Sequence, residues 1–474
     1  MDTLVKQLSH ARDRKIVAVV GGGLSGSLFA LKLSAAKPDW KILMVEEALH
    51  PGRGLAYGAC GPQHLLNVPV TRMEVGLQPP FADWLRQRPG LLADALDESG
   101  GRLGEAYVPR QLFGDYIQQQ ITEALRQGLR LVPSRAIAVS QNSRFLHLAD
   151  GRAIPVDIVV LATGHLSSHL PFKAKPSRRI IFDPWASGLD GIAPDATVLL
   201  VGSGLTMVDT VLSLRAQGHR GPLHAVSRHG LLPHAHKGGG TWPSFLDVRA
   251  SPVKAFRAVR TAVRRAQEEG VPWQRVFDAV RPMVASVWHG WSIGQRAQFL
   301  HHLRAIWDVH RHRMAGRIAT AIDGLVRDGT LKITAGRILA LDEHKDGITL
   351  LLRPRRSRAY AVDVDVVINC TGPRTDLRNC RHALLQNLFT QGLIQSDPLG
   401  LGLESEDCAV KDAQGAVSNW IYALGPLTRP AWWEIVAVPE INVQIDRLVR
   451  RLGSEEDVAA RPLHSVFLDI GAGI

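Results

Sequence analysis

Cysteines and long apolar runs are both scarce in this chain of 474 residues. Its four cysteines form neither a C-x-x-C pair nor the framework of a small secreted protein, which favours a reducing compartment. No uncharged stretch reaches the roughly 18 apolar residues that a membrane span requires. We therefore expect a cytoplasmic protein with no membrane partner.

Acidic residues are fewer than basic ones, 44 against 56, and the formal net charge is +12. Such a charge attracts anions, whether a phosphorylated cofactor, an acidic substrate or a nucleic acid. The basic residues are scattered in pairs such as Arg264-Arg265 and lack the interleaved aromatic residues of a single-strand binding track. We therefore interpret them as solvated surface and expect no nucleic-acid partner. The length predicts two or three domains of roughly 150 residues each.

A glycine motif near the amino end predicts a dinucleotide site. Residues 16–20 form an apolar strand by pattern, residues 21–26 a glycine turn and residues 27–33 a helix. The glycines of this G-x-G-x-x-G motif, which suit a tight turn, the approach of a pyrophosphate and close helix packing, are Gly21, Gly23 and Gly26. A second strand, residues 42–45, ends in Glu46, whose carboxylate is placed to bind a ribose. The alternative is a glycine-rich turn in an ordinary βαβ unit, with Glu46 as a surface charge.

A second, less complete glycine turn follows the apolar strand of residues 197–201. Gly202 and Gly204 repeat the first two glycines, whereas Met207 stands where the third would be, so helix and strand cannot pack as closely. The next strand ends in Ser-Arg-His, with Arg228 in place of an acid. Because a guanidinium can pair with a 2′-phosphate that a carboxylate would repel, we expect NADPH to be preferred over NADH. Taken alone, such an arginine is more often a surface cation.

Further strands with small residues at their ends complete the pattern. Residues 157–164 and 365–372 are buried strands closed by Ala-Thr-Gly and Cys-Thr-Gly turns, the kind of turn at which two-domain dinucleotide proteins cross between their parts. Residues 420–426 form one more strand that meets a glycine, and residues 439–452 form an amphipathic helix with proline in its first turn. Such a helix can direct its positive end at a flavin ring. Together these elements predict an α/β fold with two dinucleotide-binding, Rossmann-like domains.

These motifs resemble those of flavoproteins with two dinucleotide-binding domains, and more narrowly the FAD/NAD(P)-binding family that contains an FAD-dependent urate hydroxylase and an aspartate N-monooxygenase. The narrower resemblance rests on segments spread over most of the chain: G-R-G-L-A-Y-G at 52–58, H-L-L-N-V-P at 64–69, V-P-R at 108–110, F-G-D-Y at 113–116, G-L-T at 204–206 and W-D-V-H-R-H-R at 307–313. No long stretch is left for an unrelated domain.

The resemblance implies FAD in the first site and NAD(P)H in the second. The residues that would hold the adenosine diphosphate of FAD are Gly21, Gly23, Gly26 and Glu46. Arg53 and Asn67 would lie toward the flavin, and Gly425 would close over its ribityl chain. The residues of the second site would be Gly202, Gly204, Thr206 and Arg228. The NAD(P)H-binding domain, residues 172–345, would be inserted into an FAD-binding domain made of residues 1–171 and 346–474.

For function, the resemblance implies a monooxygenase in which NAD(P)H reduces the flavin and a flavin hydroperoxide transfers oxygen to an electron-rich substrate. Urate, an anion at neutral pH, is favoured, with 5-hydroxyisourate as its product, and N-hydroxylation of an aspartate-type amino acid is the alternative. A non-catalytic flavin redox sensor stays open because fold does not dictate function. A reductase with a disulfide relay is disfavoured, since it would need a cysteine pair near the flavin and Cys60 stands alone.

Substrate contacts are predicted from their position beside flavin-adjacent segments. The four side chains that we expect to face a small anionic substrate and O2 are Arg72, Met73, Trp433 and Glu434, although each is also compatible with core or surface. Residues 251–327 are helical in pattern and rich in Arg, His and Trp, so they either line an anion-binding cavity or form a polar surface. The histidines of that segment lack cysteine or acidic partners at ligand spacing, so no metal is expected; they include His301, His302, His310 and His312. No motif identifies a catalytic base.

Overall fold

The computed structural model describes residues 14–166, 170–175, 177–186, 188–372 and 376–453. The two ends of the predicted FAD-binding domain, residues 1–13 and 454–474, lie outside the described residues. The described chain forms two seven-stranded sheets and one three-stranded sheet, with helices around them. The predicted α/β class with two Rossmann-like units is confirmed.

The strands of the described residues are short, mostly three to five residues. They are β1 (Ile16–Val20), β2 (Lys41–Val45), β3 (Arg130–Val132), β4 (Ala136–Ser140), β5 (Phe145–Leu148), β6 (Ala153–Pro155), β7 (Ile158–Leu161), β8 (Ile180–Ile181), β9 (Val198–Val201), β10 (Leu223–Ser227), β11 (Leu331–His344), β12 (Gly347–Pro354), β13 (Tyr360–Val364), β14 (Val366–Asn369), β15 (Ser405–Glu406), β16 (Ala409–Lys411) and β17 (Val417–Ala423).

The helices connect these strands or form a separate group after β10. They are α1 (Leu24–Ala36), α2 (Gly54–Gly58), α3 (Phe81–Arg86), α4 (Ala93–Glu98), α5 (Arg110–Arg126), α6 (Leu205–Ala216), α7 (Pro252–Glu268), α8 (Trp273–Val280), α9 (Val284–Gly290), α10 (Ile293–His302), α11 (Arg304–Arg311), α12 (Gly316–Arg327), α13 (Ala383–Thr390) and α14 (Val438–Gly453).

The first sheet has the strand order β15-β16-β17-β7-β1-β2-β3. Its central strand β1 pairs in parallel with β2 and β7. All five residues of β1 are buried, as expected for a parallel strand that is covered on both faces. Because the carboxyl ends of β1, β2 and β7 lie at the same edge, the glycine turn after β1 opens at that edge of the sheet.

The second sheet has the order β13-β12-β11-β10-β9-β14-β8. Its strand β9 pairs in parallel with β10 on one side and β14 on the other. The long strand β11 pairs in parallel with β10 and then continues into an antiparallel ribbon with β12 and β13. The second glycine turn, after β9, thus occupies the position that the first turn has after β1.

The second sheet continues past residue 345, where the predicted insertion ends. β12, β13 and β14 all belong to it, and β14 supplies the parallel partner of β9 on the side opposite to β10. The chain rejoins the first sheet only through β15, so the structure places the crossing near residue 370, at the Cys-Thr-Gly turn. Because β9 pairs with β14 as well as with β10, the second sheet ends after β14 and not at residue 345.

Helices α7 to α11 form a group of their own after β10, whereas α12 packs through Ala319 and Ile322 on the core of the second sheet. The group contacts the last helix, α14, through an ion pair in which Nε of Arg281 donates to Oε1 of Glu440 at 2.6 Å and Nη2 donates to Oε2 at 2.8 Å. It also packs on the segment before α14, where the Trp288 and Trp433 rings stack with centroids 4.6 Å apart. The helical group therefore packs against the part of the chain that follows the first sheet. None of the helices in the described ranges is long and apolar enough to cross a membrane.

Candidate functional site

The first glycine turn has the geometry that the motif predicts. Gly21 has a φ of +107°, in the region that favours glycine, and a Cβ there would clash with the backbone of Ala162 at the end of β7. A Cβ at Gly26 would clash with the carbonyl oxygen of Gly21. The first and third glycines of the motif are therefore required by the turn and by the packing of α1.

Gly23, in contrast, faces open space. A Cβ added there would meet only the Cα of Gly54, at 3.6 Å. Gly23 is the N-cap of α1, no side chain caps this helix end, and its first turn carries no acidic residue. The amides and the positive end of the helix dipole are thus available to an anion, and the space that a side chain would fill suits a pyrophosphate.

Glu46 lies at the end of β2 and turns toward the glycine turn. Its Oε2 accepts a hydrogen bond from the amide of Gly22 at 2.6 Å, and its Oε1 accepts one from the amide of Ala48 at 3.0 Å. These two bonds hold the carboxylate at the edge of the sheet, where a ribose hydroxyl could donate to its remaining lone pairs. Glu46 thus lies beside the first glycine turn, and its contact with a ribose stays a prediction.

The segment around Arg53 also reaches the first glycine turn. The amide of Gly52 donates to the carbonyl oxygen of Gly22 at 2.8 Å, and Gly54 approaches Gly23 so closely that a Cβ would lie 2.9 Å from the Gly23 Cα. Arg53 itself is held by Gln118, to which its Nε donates at 2.8 Å, and by Asp115. Gly54 is thus a residue of the site that the glycine motif itself does not include. The G-R-G segment that contains it was the available signal.

Asn67 lies where the first-sheet unit meets the chain after β10. Its carbonyl oxygen is 2.7 Å from Nε2 of His236. Burial, together with Arg313, lowers the pKa of His236 to about 4, so its ring is neutral near pH 7. Since a carbonyl oxygen only accepts, Nε2 must carry the proton and donate it. His236 is a site neighbour that sequence reasoning did not identify.

Gly425 is brought against the start of α1 by the fold. It has a φ of +70°, and a Cβ there would lie 2.8 Å from Oγ of Ser25. Its amide donates to Oε1 of the fully buried Gln444 at 2.8 Å, and Nε2 of Gln444 donates to Oγ1 of Thr428 at 2.7 Å. The end of β17 and the helix α14 thus contact the first glycine turn, and the closure of Gly425 over the ribityl chain of FAD stays a prediction.

The second glycine turn repeats the first in its backbone. Gly202 has a φ of +117°, and a Cβ there would clash with the backbone of Cys370 at the end of β14. Gly204 faces open space, with nothing within 4 Å of an added Cβ. Met207, in the place of the third glycine, is fully buried in the core of the second sheet. Thr206 lies in the first turn of α6, and its carbonyl oxygen accepts from Thr210.

Arg228 is exposed and follows the end of β10. A second arginine, Arg355, lies at the same edge. Its amide donates to the carbonyl oxygen of Ala335, and Ala335 is paired with Ser227, the last residue of β10. Both arginines act on His229: burial and these two positive charges lower its pKa. The end of β10 is therefore a cationic edge, and sequence reasoning missed the contribution of Arg355 because it lies 127 residues further along the chain.

The four proposed substrate contacts do not all share one environment. Arg72 lies 3.6 Å from Asp278, and Glu434 accepts from Nε1 of Trp307 at 2.7 Å. Met73 is buried in the core of the first sheet, whereas Trp433 packs against the helical group. Arg72 and Glu434 belong to two neighbouring sets of ion pairs, one around Asp278 and the other around Glu440, and the charges of Arg281 and Arg311 act on Arg72. We call the two sets together the charge cluster; its largely buried members are Arg72, Asp278, Arg281, Arg311, Arg313, Glu434 and Glu440.

This charge cluster holds four arginines and three carboxylates. Burial and the neighbouring arginines lower the pKa of Arg72, although Asp278 opposes the shift. Arg313 is 2% exposed, and its Nε and Nη1 are buried with no hydrogen-bond partner in the described part of the chain. The cluster thus has an excess of positive charge and unused donors next to the Asn67 and His236 contact.

The cysteines and histidines form no second centre in the described ranges. All four cysteines are free thiols, and burial raises the pKa of Cys60. His310 stacks on Phe277, with ring centroids 5.0 Å apart, and also contacts His234 and Trp273. Within the described residues no group of three or more His, Cys, Asp or Glu side chains could hold a metal ion.

Residues 18–166 match a family model described as FAD-NAD(P)-binding. This stretch contains the whole first site apart from Gly425. The family match confirms the predicted class of cofactor, FAD with NAD(P)H. Curated relatives from Mycobacterium bovis and Mycobacterium tuberculosis are 25% identical over 422 residues, which cover 78% of this chain and 77% of theirs, and they are described only as uncharacterised proteins.

Solved structures of amino-acid monooxygenases and hydroxylases resemble the fold over most of the chain. An L-lysine 6-monooxygenase from Pseudomonas syringae superposes with a TM-score of 0.64 and 17% identity, covering 92% of this chain and 98% of its own. An ornithine N-hydroxylase from Kutzneria, solved with reduced FAD, NADP+ and L-ornithine, superposes with a TM-score of 0.62 and 13% identity, covering 93% of this chain and 100% of its own. At these identities the likeness establishes a shared two-domain fold.

Proposed function

We propose that this protein is an FAD-dependent monooxygenase that uses NADPH and O2 to hydroxylate the amine nitrogen of a small amino-acid-type substrate. The observation that carries the proposal is the pair of glycine turns whose middle positions, Gly23 and Gly204, face open space on two sheets of one chain. One turn is followed by a carboxylate, Glu46, and the other by a cation, Arg228. These partners suit a ribose and a phosphorylated ribose, respectively.

The residues of the first site fit FAD. Gly23, the uncapped start of α1 and Glu46 would hold the pyrophosphate and the adenosine ribose, and Arg53 and Gly425 lie on segments that reach the same turn. Asn67, which contacts His236, would lie toward the flavin. When bound, FAD supplies the redox chemistry, because it accepts the hydride of NADPH and passes electrons to O2. The protein's own part is to bind the two nucleotides, orient the substrate and limit the access of water.

The residues of the second site fit NADPH better than NADH. Gly204 leaves room for the pyrophosphate at the start of α6, as Gly23 does at α1. Arg228 and Arg355 lie at the edge where a 2′-phosphate would extend, and no carboxylate follows β10 directly. A charge-assisted bond to a phosphate favours NADPH even at an exposed position.

The charge cluster supports an anionic group on the substrate. Arg72 and Arg313 belong to a largely buried cluster with more arginines than carboxylates, and Arg313 has donors with no hydrogen-bond partner in the described part of the chain. The α-carboxylate of an amino acid would neutralise the excess positive charge and accept hydrogen bonds from these donors. The net reaction converts the amine, O2, NADPH and a proton to the N-hydroxylamine, water and NADP+.

N-hydroxylation is preferred here to urate hydroxylation because the solved structures that share the fold over almost the entire chain act on lysine and ornithine. A reductase with a disulfide relay would need a pair of cysteines near the flavin, and Cys60 has no second cysteine near it in the sequence. Urate hydroxylation has the support of the sequence resemblance alone.

Oxygen and NADPH consumption with a panel of substrates tests the proposal. The FAD-loaded protein is incubated with lysine, ornithine, aspartate, diamines and urate, and hydroxylamine product, urate absorbance and hydrogen peroxide are followed together. We expect one amine to accelerate NADPH oxidation and to yield one hydroxylamine per NADPH. Loss of urate with no hydroxylamine would instead establish urate hydroxylation, and peroxide as the product with every compound would count against monooxygenase activity.

A further inference from the structure

The helical group contains an apolar cavity of about 350 Å³ that lies apart from both glycine turns. Aromatic side chains make up much of its wall, among them Phe277, Trp288, Trp291, Phe299, Trp307 and Trp433. Apart from two arginines and His310, every lining residue is aliphatic or aromatic. Packed cores leave few voids larger than a water molecule, whereas ligand sites measure about 300–1,000 Å³. The size and the apolar wall therefore indicate a ligand with an apolar body.

The two lining arginines lie on one side of this cavity. Arg260 and Arg264 are exposed and one turn apart on α7, beside the stripe of the same helix, including Ala255 and Val259, that faces the cavity. Like charges at this spacing repel each other. In the described part of the chain neither guanidinium has a carboxylate within ion-pair distance, whereas the adjacent Arg265 pairs with Glu269 at 2.7 Å.

His310, the third polar residue that lines the cavity, neither neutralises the two arginines nor joins them as a cation. Its Nδ1 bonds to the carbonyl oxygen of Ile306 at 2.8 Å, and its ring stacks on Phe277. No acidic residue lines the cavity. The charged part of the site is thus cationic, and it is carried by two exposed arginines at the edge of an otherwise apolar space.

We propose that this cavity binds an amphiphilic anion, a small molecule with an aliphatic or aromatic body and one carboxylate or phosphate group. The body would fill the aromatic pocket, and the anionic group would bind Arg260 and Arg264. Such a ligand removes the repulsion between the arginines and covers the apolar wall at the same time. The cavity borders the charge cluster, since Trp307 of its wall donates to Glu434, but its two arginines belong neither to that cluster nor to a glycine turn. The site is therefore distinct from the one proposed for the amine substrate.

Calorimetric titration of the FAD-loaded protein with straight-chain carboxylates tests this site without turnover. We expect decanoate to bind more tightly than octanoate, and octanoate more tightly than hexanoate, by about tenfold for each two methylenes buried. Decyltrimethylammonium, which has a similar chain and the opposite charge, should bind at least tenfold more weakly than decanoate. Affinity that does not depend on chain length, or equal affinity for the cation, would overturn the proposal.

Variants distinguish the contribution of the arginines to ligand binding from that of the apolar wall. R260A/R264A, which changes exposed residues, should weaken decanoate binding about tenfold or more, and V259W should abolish it by filling the cavity. The control R257A removes an exposed arginine of the same helix that does not line the cavity. Circular dichroism and flavin content verify that each variant is folded. Unchanged binding in R260A/R264A, or adsorption to phosphatidylglycerol vesicles with no decanoate binding, would contradict a small-ligand site.

Discussion

Arg110 and Asp209 form a buried ion pair between the two sheet units, in which Nη1 of Arg110 donates to Oδ2 of Asp209 at 3.0 Å. Arg110 begins α5 beside the first sheet, and Asp209 lies in α6, directly after the second glycine turn. The carbonyl oxygen of Asp209 is also 3.0 Å from Nε2 of His64. These contacts fix how the helix of the second nucleotide site sits on the first unit, and hydride transfer between two bound nucleotides depends on such a fixed position.

Replacing Arg110 by alanine should destabilise the protein and slow flavin reduction. Removal of one partner leaves the Asp209 carboxylate buried without its counter-charge, which costs about 3 kcal/mol. Urea unfolding and stopped-flow reduction by NADPH measure the two effects. The double variant R110A/D209A should lose less than the sum of the single variants. A loss in R110A no larger than in R86A, which breaks an exposed pair with Asp83, would show that the ion pair does not couple the units.

Replacing Gly23 or Gly204 by valine should remove one cofactor and spare the other. Both glycines have negative φ values and room for a side chain, so each variant is expected to fold. The valine side chain occupies the space that we assign to a pyrophosphate. We expect G23V to be purified without flavin, and G204V to keep its flavin but to be reduced slowly by NADPH. Flavin absorbance and reduction kinetics decide the matter, and a fully yellow G23V protein would refute the first-site assignment.

Arg228→Ala should lower the affinity for NADPH about tenfold and leave NADH almost unaffected. The exposed guanidinium would bind the 2′-phosphate of NADPH, and NADH lacks this group. Steady-state KM values for the two coenzymes provide the measurement, with Arg220→Ala, an exposed change in the same unit, as the control. Because Arg355 lies at the same edge, R228A/R355A should show a larger loss for NADPH than either single variant. Equal losses for both coenzymes would contradict the assignment.

Replacing Arg72 by alanine should raise the KM of an anionic amine substrate about tenfold or more while the flavin content stays unchanged. The arginine is part of the positively charged cluster that we propose to neutralise with the substrate carboxylate. Decarboxylated analogues, such as the corresponding diamine, should lose little in the same variant. If the amino acid and the diamine are affected alike, Arg72 acts through packing and not through the carboxylate.

Glu440 should make the stability depend on pH in the acid range. Burial alone would raise the pKa of this carboxyl, but Arg281 and Arg311 outweigh burial and hold it below its ordinary value of 4.5. A carboxyl whose pKa is lowered by folding stabilises the protein above its unfolded pKa and loses that contribution as pH falls through the folded pKa. We expect E440Q to be about 3 kcal/mol less stable near pH 7 and to depend less on pH below about 5. Urea unfolding at a series of pH values provides the test, and identical pH profiles for both proteins would contradict it.

Much of the fold could be predicted from local patterns. The strand before each glycine turn, the helix after it and the position of Glu46 follow from short-range spacing, because each depends on backbone conformation within about 30 residues. The clash that a Cβ at Gly21 would cause is of the kind that the motif implies. The predicted boundary of the NAD(P)H-binding domain at residue 345 left out β14. A parallel sheet can take its strands from distant parts of the chain, so local patterns did not show that β14 pairs with β9.

The sequence by itself determined that two dinucleotide-type turns are present and what distinguishes them, since glycine at a tight turn and the residue at the end of the next strand are local properties. Only the tertiary structure decided which distant residues meet. It brought Gly425 to Ser25, Arg355 to the edge that carries Arg228, and Arg281 to Glu440. These contacts join residues up to 400 positions apart, and they arise from the packing of whole sheets and helices, which no local spacing encodes.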